Sequence, residues 1–115
     1  MHELSLAIEI VEIAEAEARR HGNGRIQAVH LRLGPLSGVV EEALQAAFPL
    51  AAQGTEVEGA ELVIEKAPLI VYCPRCRAER ELDLQVWLAC PVCGAPTPEV
   101  RQGRELVVTA LELEE

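Results

Sequence analysis

The chain has 115 residues, half of them apolar but only three aromatic (Phe48, Tyr72, Trp87), so it can bury one aliphatic core, or a small core beside a metal-stapled lobe. Ten Lys and Arg against nineteen Asp and Glu give a formal charge of −9. Such a chain is repelled by phosphate backbones and anionic lipid, which argues against nucleic-acid and membrane-surface binding, and no apolar run approaches the length of a membrane span.

In chain order, the apolar periodicity predicts a helix from about Leu4 to Arg20. Leu6, Ile10, Ile13 and Glu17 form one stripe, with Leu4, Ile8, Val11 and Ala18 beside it, and Gly22 is a natural stop. Residues 25–33 alternate as a half-buried strand, with Gln27, Val29, Leu31 and Leu33 against Ala28, His30 and Arg32. After the breaker Gly34-Pro35-Leu36-Ser37-Gly38, Ser37 is the candidate cap of a second helix with Glu41 and Glu42 in its first turn. Ala43, Leu44, Ala47, Phe48 and Ala51 mark its buried face, and Pro49 predicts a kink or an early end. Residues 61–66 read as a second strand, interrupted at Pro68 and resumed over 69–72. Leu82, Leu84, Val86 and Leu88 suggest a short hairpin, and residues 105–114 give a last strand. The expected fold is α+β: a three-stranded sheet with two helices (1–68 and 103–115), with a zinc-ribbon-like lobe of short β-hairpins (69–102) inserted before the final strand.

That lobe is defined by Cys73-Pro74-Arg75-Cys76 and Cys90-Pro91-Val92-Cys93, two Cys-x-x-Cys pairs thirteen residues apart. Two intervening residues let each backbone turn so that both sulfurs face one ion, and four thiolates close a tetrahedral zinc shell with bonds of about 2.3 Å. Pro74 and Pro91 preset φ in the turns, and Gly94 can take the positive φ that follows such a knuckle, whereas Arg77 follows the first pair. The alternatives are two disulfides or a redox pair. Disulfides suit a secreted chain, but no signal-peptide pattern opens this one, and a redox Cys-x-x-Cys would be single and would open a helix. A closed four-cysteine shell leaves no position for water, so the zinc is expected to hold shape in a reducing, cytoplasmic compartment.

The first three residues offer a second site. The Met1 amine, the His2 backbone nitrogen and the His2 imidazole can close adjacent five- and six-membered chelates, with Glu3 as the nearest further donor. Three nitrogens in a plane suit square-planar Ni²⁺ or Cu²⁺ and fit tetrahedral Zn²⁺ poorly. Alone this signal is weak, because His at position two is usually solvated and idle. His21 and His30 read as cap and surface residues.

Taken together, Met1-His2-Glu3-Leu4-Ser5, Leu33-Gly34-Pro35-Leu36-Ser37-Gly38-Val39, Gly54-Thr55, Ala60-x-Leu62, the two cysteine pairs with Gly94, and Gly103-Arg104-Glu105-Leu106 resemble the HypA/HybF family. These are nickel-insertion accessory proteins of [NiFe]-hydrogenase maturation, and the match runs through essentially the whole chain. The resemblance implies a cytoplasmic, non-enzymatic metallochaperone that carries Ni(II) on Met1, His2 and Glu3 and holds structural Zn(II) on Cys73, Cys76, Cys90 and Cys93. It also implies docking to the pathway's GTPase and to the hydrogenase large-subunit precursor, with homodimerisation left open. Val40 stands where some members carry an acidic residue that reaches the nickel, so any such role is lost or passes to Glu41. The rival readings are a zinc-ribbon adaptor for nucleic acid, which would need a basic stripe and stacking aromatics, and a thiol oxidoreductase, which would need one exposed low-pKa cysteine.

Overall fold

The computed structural model describes residues 2–22, 24–83 and 88–114. Its elements run α1 (Glu3–Arg20), β1 (Ile26–Leu33), α2 (Glu41–Ala52), β2 (Glu61–Lys66), β3 (Leu69–Cys73), β4 (Ala78–Leu82), β5 (Glu99–Gln102) and β6 (Leu106–Leu113). Two three-stranded sheets result, in the orders β2-β1-β6 and β4-β3-β5. The chain divides into two compact units: Met1–Arg32, Gly38–Glu65 and Val107–Glu115 form one, and Leu33–Ser37 with Lys66–Leu106 the other. The fold is α+β, with two helices and two small sheets.

In the first unit, α1 forms because Leu, Ala, Glu and Arg dominate it and no Gly or Pro interrupts it. It ends at His21, whose N–H bonds Ala18 C=O, and at Gly22, which adopts φ +93°. The buried face consists of Leu6, Ala7, Ile10, Val11, Ala14 and Ala18, and α1 packs against α2. Ile13, expected on the buried stripe, is 51% exposed, and Leu4 and Ile8 are also exposed. The stripe is rotated toward Ala7 and Ala14, both fully buried, where a bulkier side chain would have to displace close-packed neighbours.

Strand β1 lies at the centre of its sheet. Val29, Leu31 and Leu33 are buried as the alternation predicts, but so is Ala28 on the opposite face. His30 and Arg32 are half-buried; His30 Nε2 is hydrogen-bonded to Glu112 Oε2 at 2.6 Å, and Arg32 forms an ion pair with Glu65. The Glu114 N–H bonds Arg25 C=O and the Thr109 hydroxyl donates to His30 C=O, so β6 runs antiparallel to β1. Ser37 does not cap α2. The N-cap is Val40, without a side-chain cap of its own, and its N–H is taken by Glu3 Oε2 at 3.1 Å. Nor does Pro49 end α2, which continues to Ala52 and buries Leu44, Phe48 and Ala52. Proline forfeits a single N–H bond near the helix end, and the burial on either side holds the last turn.

The second unit begins where the chain leaves β2. Residues 69–72, expected to resume that strand, belong to the other sheet, with Ala67 N–H bonded to Leu33 C=O at the crossing. Strand β3 pairs antiparallel with β4 and with β5, the latter through a register shift at Ile70/Val71. Leu69, Val71 and Leu82 form its apolar cluster, with Leu36 and Val100 packed on it. The Leu33–Ser37 loop thus belongs to this unit. A Cβ on Gly34 would sit 2.3 Å from Gly103 O, and Leu36 N–H bonds that same carbonyl at 2.7 Å, so glycine is needed to let the two backbones meet. Of the hairpin expected over Leu82, Leu84, Val86 and Leu88, Leu82 ends β4 and the Leu88 C=O accepts the Thr97 N–H. Strands β3 and β4 flank the first pair, and an isolated Ala89–Pro96 bridge spans the second. Leu84 and Val86 lie outside the described residues.

Candidate metal sites

Each cysteine pair occupies the turn of an antiparallel arm. At the first, β3 ends in Cys73, β4 starts at Ala78, and the Arg77 N–H closes onto Cys73 C=O at 2.8 Å. At the second, the Gly94 N–H closes onto Cys90 C=O at the same distance. Both residues take left-handed backbone, Gly94 at φ +78° and Arg77 at φ +55°. The two turns are therefore copies, except that the first adopts the conformation without the residue that adopts it freely.

The sulfurs converge. Cys73 Sγ lies 3.5 Å from Cys93 Sγ, Cys76 Sγ lies 3.9 Å from Cys90 Sγ, and all four fall within 4.8 Å of one another. A tetrahedron with metal–sulfur bonds of about 2.3 Å has edges of about 3.8 Å, so the cluster has the size a thiolate-bound divalent ion requires. The contacts run between pairs, and all four cysteines are free. The Cys76 N–H points at Cys73 Sγ (3.2 Å) and the Val92 N–H at Cys90 Sγ (3.4 Å), as suits sulfur carrying negative charge.

The thiols do not ionise alike. Burial opposes the charge on Cys90, but the N–H groups of Cys93 and Val92 and the Arg80 guanidinium outweigh it and bring its pKa down to about 6. Cys93 gains from the Ala95 N–H, yet burial and the neighbouring sulfurs push it up to about 11. Without a cation the cluster therefore holds back its later protons.

Arg80 is a residue that the cysteine pattern does not announce. On β4 it pairs with Val71, two residues from the Ala78–Cys73 pair, so it shares a sheet face with Cys73, Val71 and Leu82. Its guanidinium donates to the sulfurs of Cys90 and Cys76, which raises its own pKa, while its Nε is buried and meets no acceptor among the described residues. The available signal was its phase: Arg80 falls on the same side as Leu82 in a strand whose other neighbours are acidic.

At the other candidate site, His2 is the N-cap of α1, exposed, with φ −91° and ψ 96°, and its carbonyl accepts the Leu6 N–H. The N–H groups of His2 and Glu3 thus fall in the part of a helix that has no intrahelical acceptor. The Glu3 carboxylate is held by the Val40 N–H, which keeps it below the usual carboxylate range. Met1 lies outside the described residues. His21 caps α1 and meets Glu17 at 3.3 Å, and His30 pairs with Glu112. Among the described residues, the cysteines are the one group of three or more His, Cys, Asp or Glu side chains close enough to share an ion.

A family model described as hydrogenase/urease nickel incorporation, metallochaperone, HypA, matches residues 1–113. The chain belongs to the HypA family. It is 50% identical over 112 residues to the hydrogenase maturation factor HypA of Chloroflexus aurantiacus, covering 97% of this chain and 98% of that one. Against the HypA of Deinococcus radiodurans it is 46% identical over 108 residues, covering 92% and 88%. The solution structure of the Ni metallochaperone HypA from Helicobacter pylori superposes with a TM-score of 0.69 at 21% identity, over 98% of this chain and 97% of that one. A second HypA solution structure gives 0.72 at 21% identity, over 99% and 97%. HypA proteins are metallochaperones for nickel incorporation, maturation factors rather than enzymes.

Proposed function

We propose that this chain carries Ni(II) on the Met1 amine, His2 and Glu3 and passes it to the large-subunit precursor of a [NiFe]-hydrogenase, with Cys73, Cys76, Cys90 and Cys93 holding a resident Zn(II). The observation that carries the nickel assignment is His2 at the N-cap of α1. There the backbone nitrogens of His2 and Glu3 are free of the helix ladder, beside an exposed imidazole, so deprotonated amide and ring nitrogens can turn to one ion. The Glu3–Val40 bond fixes the start of α1 against the head of α2, which limits the freedom the chelate must lose on binding. Binding requires the amine and amide to shed protons, so acid releases the ion. The relatives are hydrogenase maturation factors, which favours hydrogenase as the destination. Nucleotide hydrolysis, where delivery needs it, falls to a partner GTPase in the cytoplasm. In this division of labour residues 1–68 and 103–115 handle nickel and residues 69–102 hold zinc.

The zinc assignment stands on the donor set. Four sulfurs at tetrahedral spacing satisfy a borderline-soft d¹⁰ ion and leave no vertex for a transferable ligand. Placing two residues before Met1 moves the amine out of chelate range while leaving α1 and the cysteines untouched. The extended protein should keep one zinc per chain and lose nickel binding in calorimetric titration; nickel affinity equal to that of the native chain would overturn the N-terminal site.

A further inference from the structure

We propose that Arg80 is the positioning, charge-balancing donor of the four-cysteine centre, and that it holds the Cys76 and Cys90 sulfurs in their metal-binding arrangement. The proposal rests on reading the four sulfurs as a zinc centre and adds a fifth residue to it. Arg80 occupies the inner face of β4, in line with Ala78 and Leu82 and opposite Val71, whereas its acidic neighbours Glu79 and Glu81 fall on the other face. Arg80 is half-buried on the face that carries Val71 and Leu82, and its Nε is buried, so its charge favours an anionic partner nearby. The Glu79 carbonyl lies 3.4 Å from Nη1, and the anionic partners on that side are the sulfurs of Cys90 and Cys76. Four thiolates around a divalent ion leave a charge of −2, and one adjacent guanidinium halves it. Arginine suits this place because it stays charged and spreads its donors over two acceptors. Cys76 and Cys90 come one from each pair, so a single guanidinium bridges the two turns across the ion.

A side chain that merely fills space and one that balances charge respond differently to Arg80→Met. Methionine matches the apolar face and the length of the arginine stem, so packing survives and the charge does not. In the full-length protein, wild-type zinc content by elemental analysis first tests the zinc reading by itself; one ion per chain is expected. With that established, zinc transfer to a chromophoric chelator should run roughly 10- to 100-fold further or faster for Arg80→Met, the usual effect of losing an outer-shell partner. In the Co²⁺-substituted protein the sulfur-to-metal charge-transfer band should shift, because the thiolates lose a hydrogen-bond donor. Arg80→Lys, which keeps the charge without the fork, should fall between. Unchanged zinc transfer and an unchanged band in Arg80→Met would overturn the proposal. If Arg80→Met does not fold, Arg80→Lys decides: zinc transfer within a few-fold of wild type supports the charge role, and transfer faster than wild type by roughly 10-fold or more overturns it.

Discussion

Arg77 shows most plainly how the metal lobe holds a conformation its sequence resists. Its N–H closes the first cysteine turn just as the Gly94 N–H closes the second, and both backbones are left-handed. For a residue with a Cβ that geometry costs about 1–2 kcal/mol, and the turn persists because the hydrogen bond and the sulfur cluster on either side over-determine it. Glycine at this position relieves the strain but gives back part of the gain as freedom in the unfolded chain. Arg77→Gly should therefore raise the zinc-loaded protein's stability by about 1 kcal/mol in denaturant titration, with zinc content unchanged. A loss of stability would mean that the Arg77 side chain supplies a contact larger than the strain.

Between elements, the contact that joins the candidate nickel site to the fold is Glu3, in the first turn of α1, accepting the N–H at the head of α2. The bond holds the Glu3 carboxylate below its ordinary value of 4.5, chiefly through the Val40 N–H. Because the folded-state value is depressed, this contribution is fully present above the unfolded pKa and is lost as pH falls through the folded one. Glu3→Gln should thus lower the denaturation midpoint, read by helix ellipticity, at pH 7, and the gap from wild type should close as pH drops below about 4. A gap independent of pH would show that the amide serves Val40 equally badly whatever the carboxylate's charge, and that ionisation plays no part. The helices were legible because both carry long apolar periodicity, and the four cysteines because their spacing is constrained by the metal alone. What was not legible depended on partners distant in sequence. Ser37 looked like the cap of α2, but the head of that helix is served by Glu3, thirty-seven residues earlier. Ile13 fits the helical stripe as well as Ala14 does; only the closeness of the packing decides that the alanine is buried. Strand β5 is four residues, Glu99–Gln102, with Val100 its one apolar side chain, and exists because β3 offers it an edge. Arg80 is hidden in the sequence for the same reason, since its place is set by the cross-strand register that puts it on the face of Cys73.

At the scale of the whole chain, charge and the candidate metal sites divide along the same line. The unit containing α1 and α2 holds fourteen of the nineteen acidic residues and four of the ten basic ones, a balance of −10, while the cysteine unit holds five and six, or +1 before the thiols ionise. The acidic unit tolerates self-repulsion because its core is substantial: Leu6, Ile10, Val11, Ile26, Val29, Leu31, Leu44 and Phe48 are all buried, each worth about 1.5–3 kcal/mol. The cysteine unit has an apolar cluster of Leu69, Val71 and Leu82 with Leu36 and Val100 beside it, which is small for roughly 45 residues. A unit of that size without a larger core needs a staple, and a structural zinc site can supply about 10–16 kcal/mol of apparent binding free energy to folding. Removing the ion should therefore act on one unit and spare the other. Treatment with a strong chelator should collapse the amide dispersion of β3, β4 and β5 in a heteronuclear NMR spectrum, while α1 and α2 keep their shifts and the 222 nm ellipticity falls little. Nickel binding at the N-terminus should survive to within a few-fold, since its donors and the Glu3–Val40 bond lie in the acidic unit. Cooperative loss of the helices on chelation would show instead that the two units fold as one, and that the zinc stabilises the helical unit as well as its own.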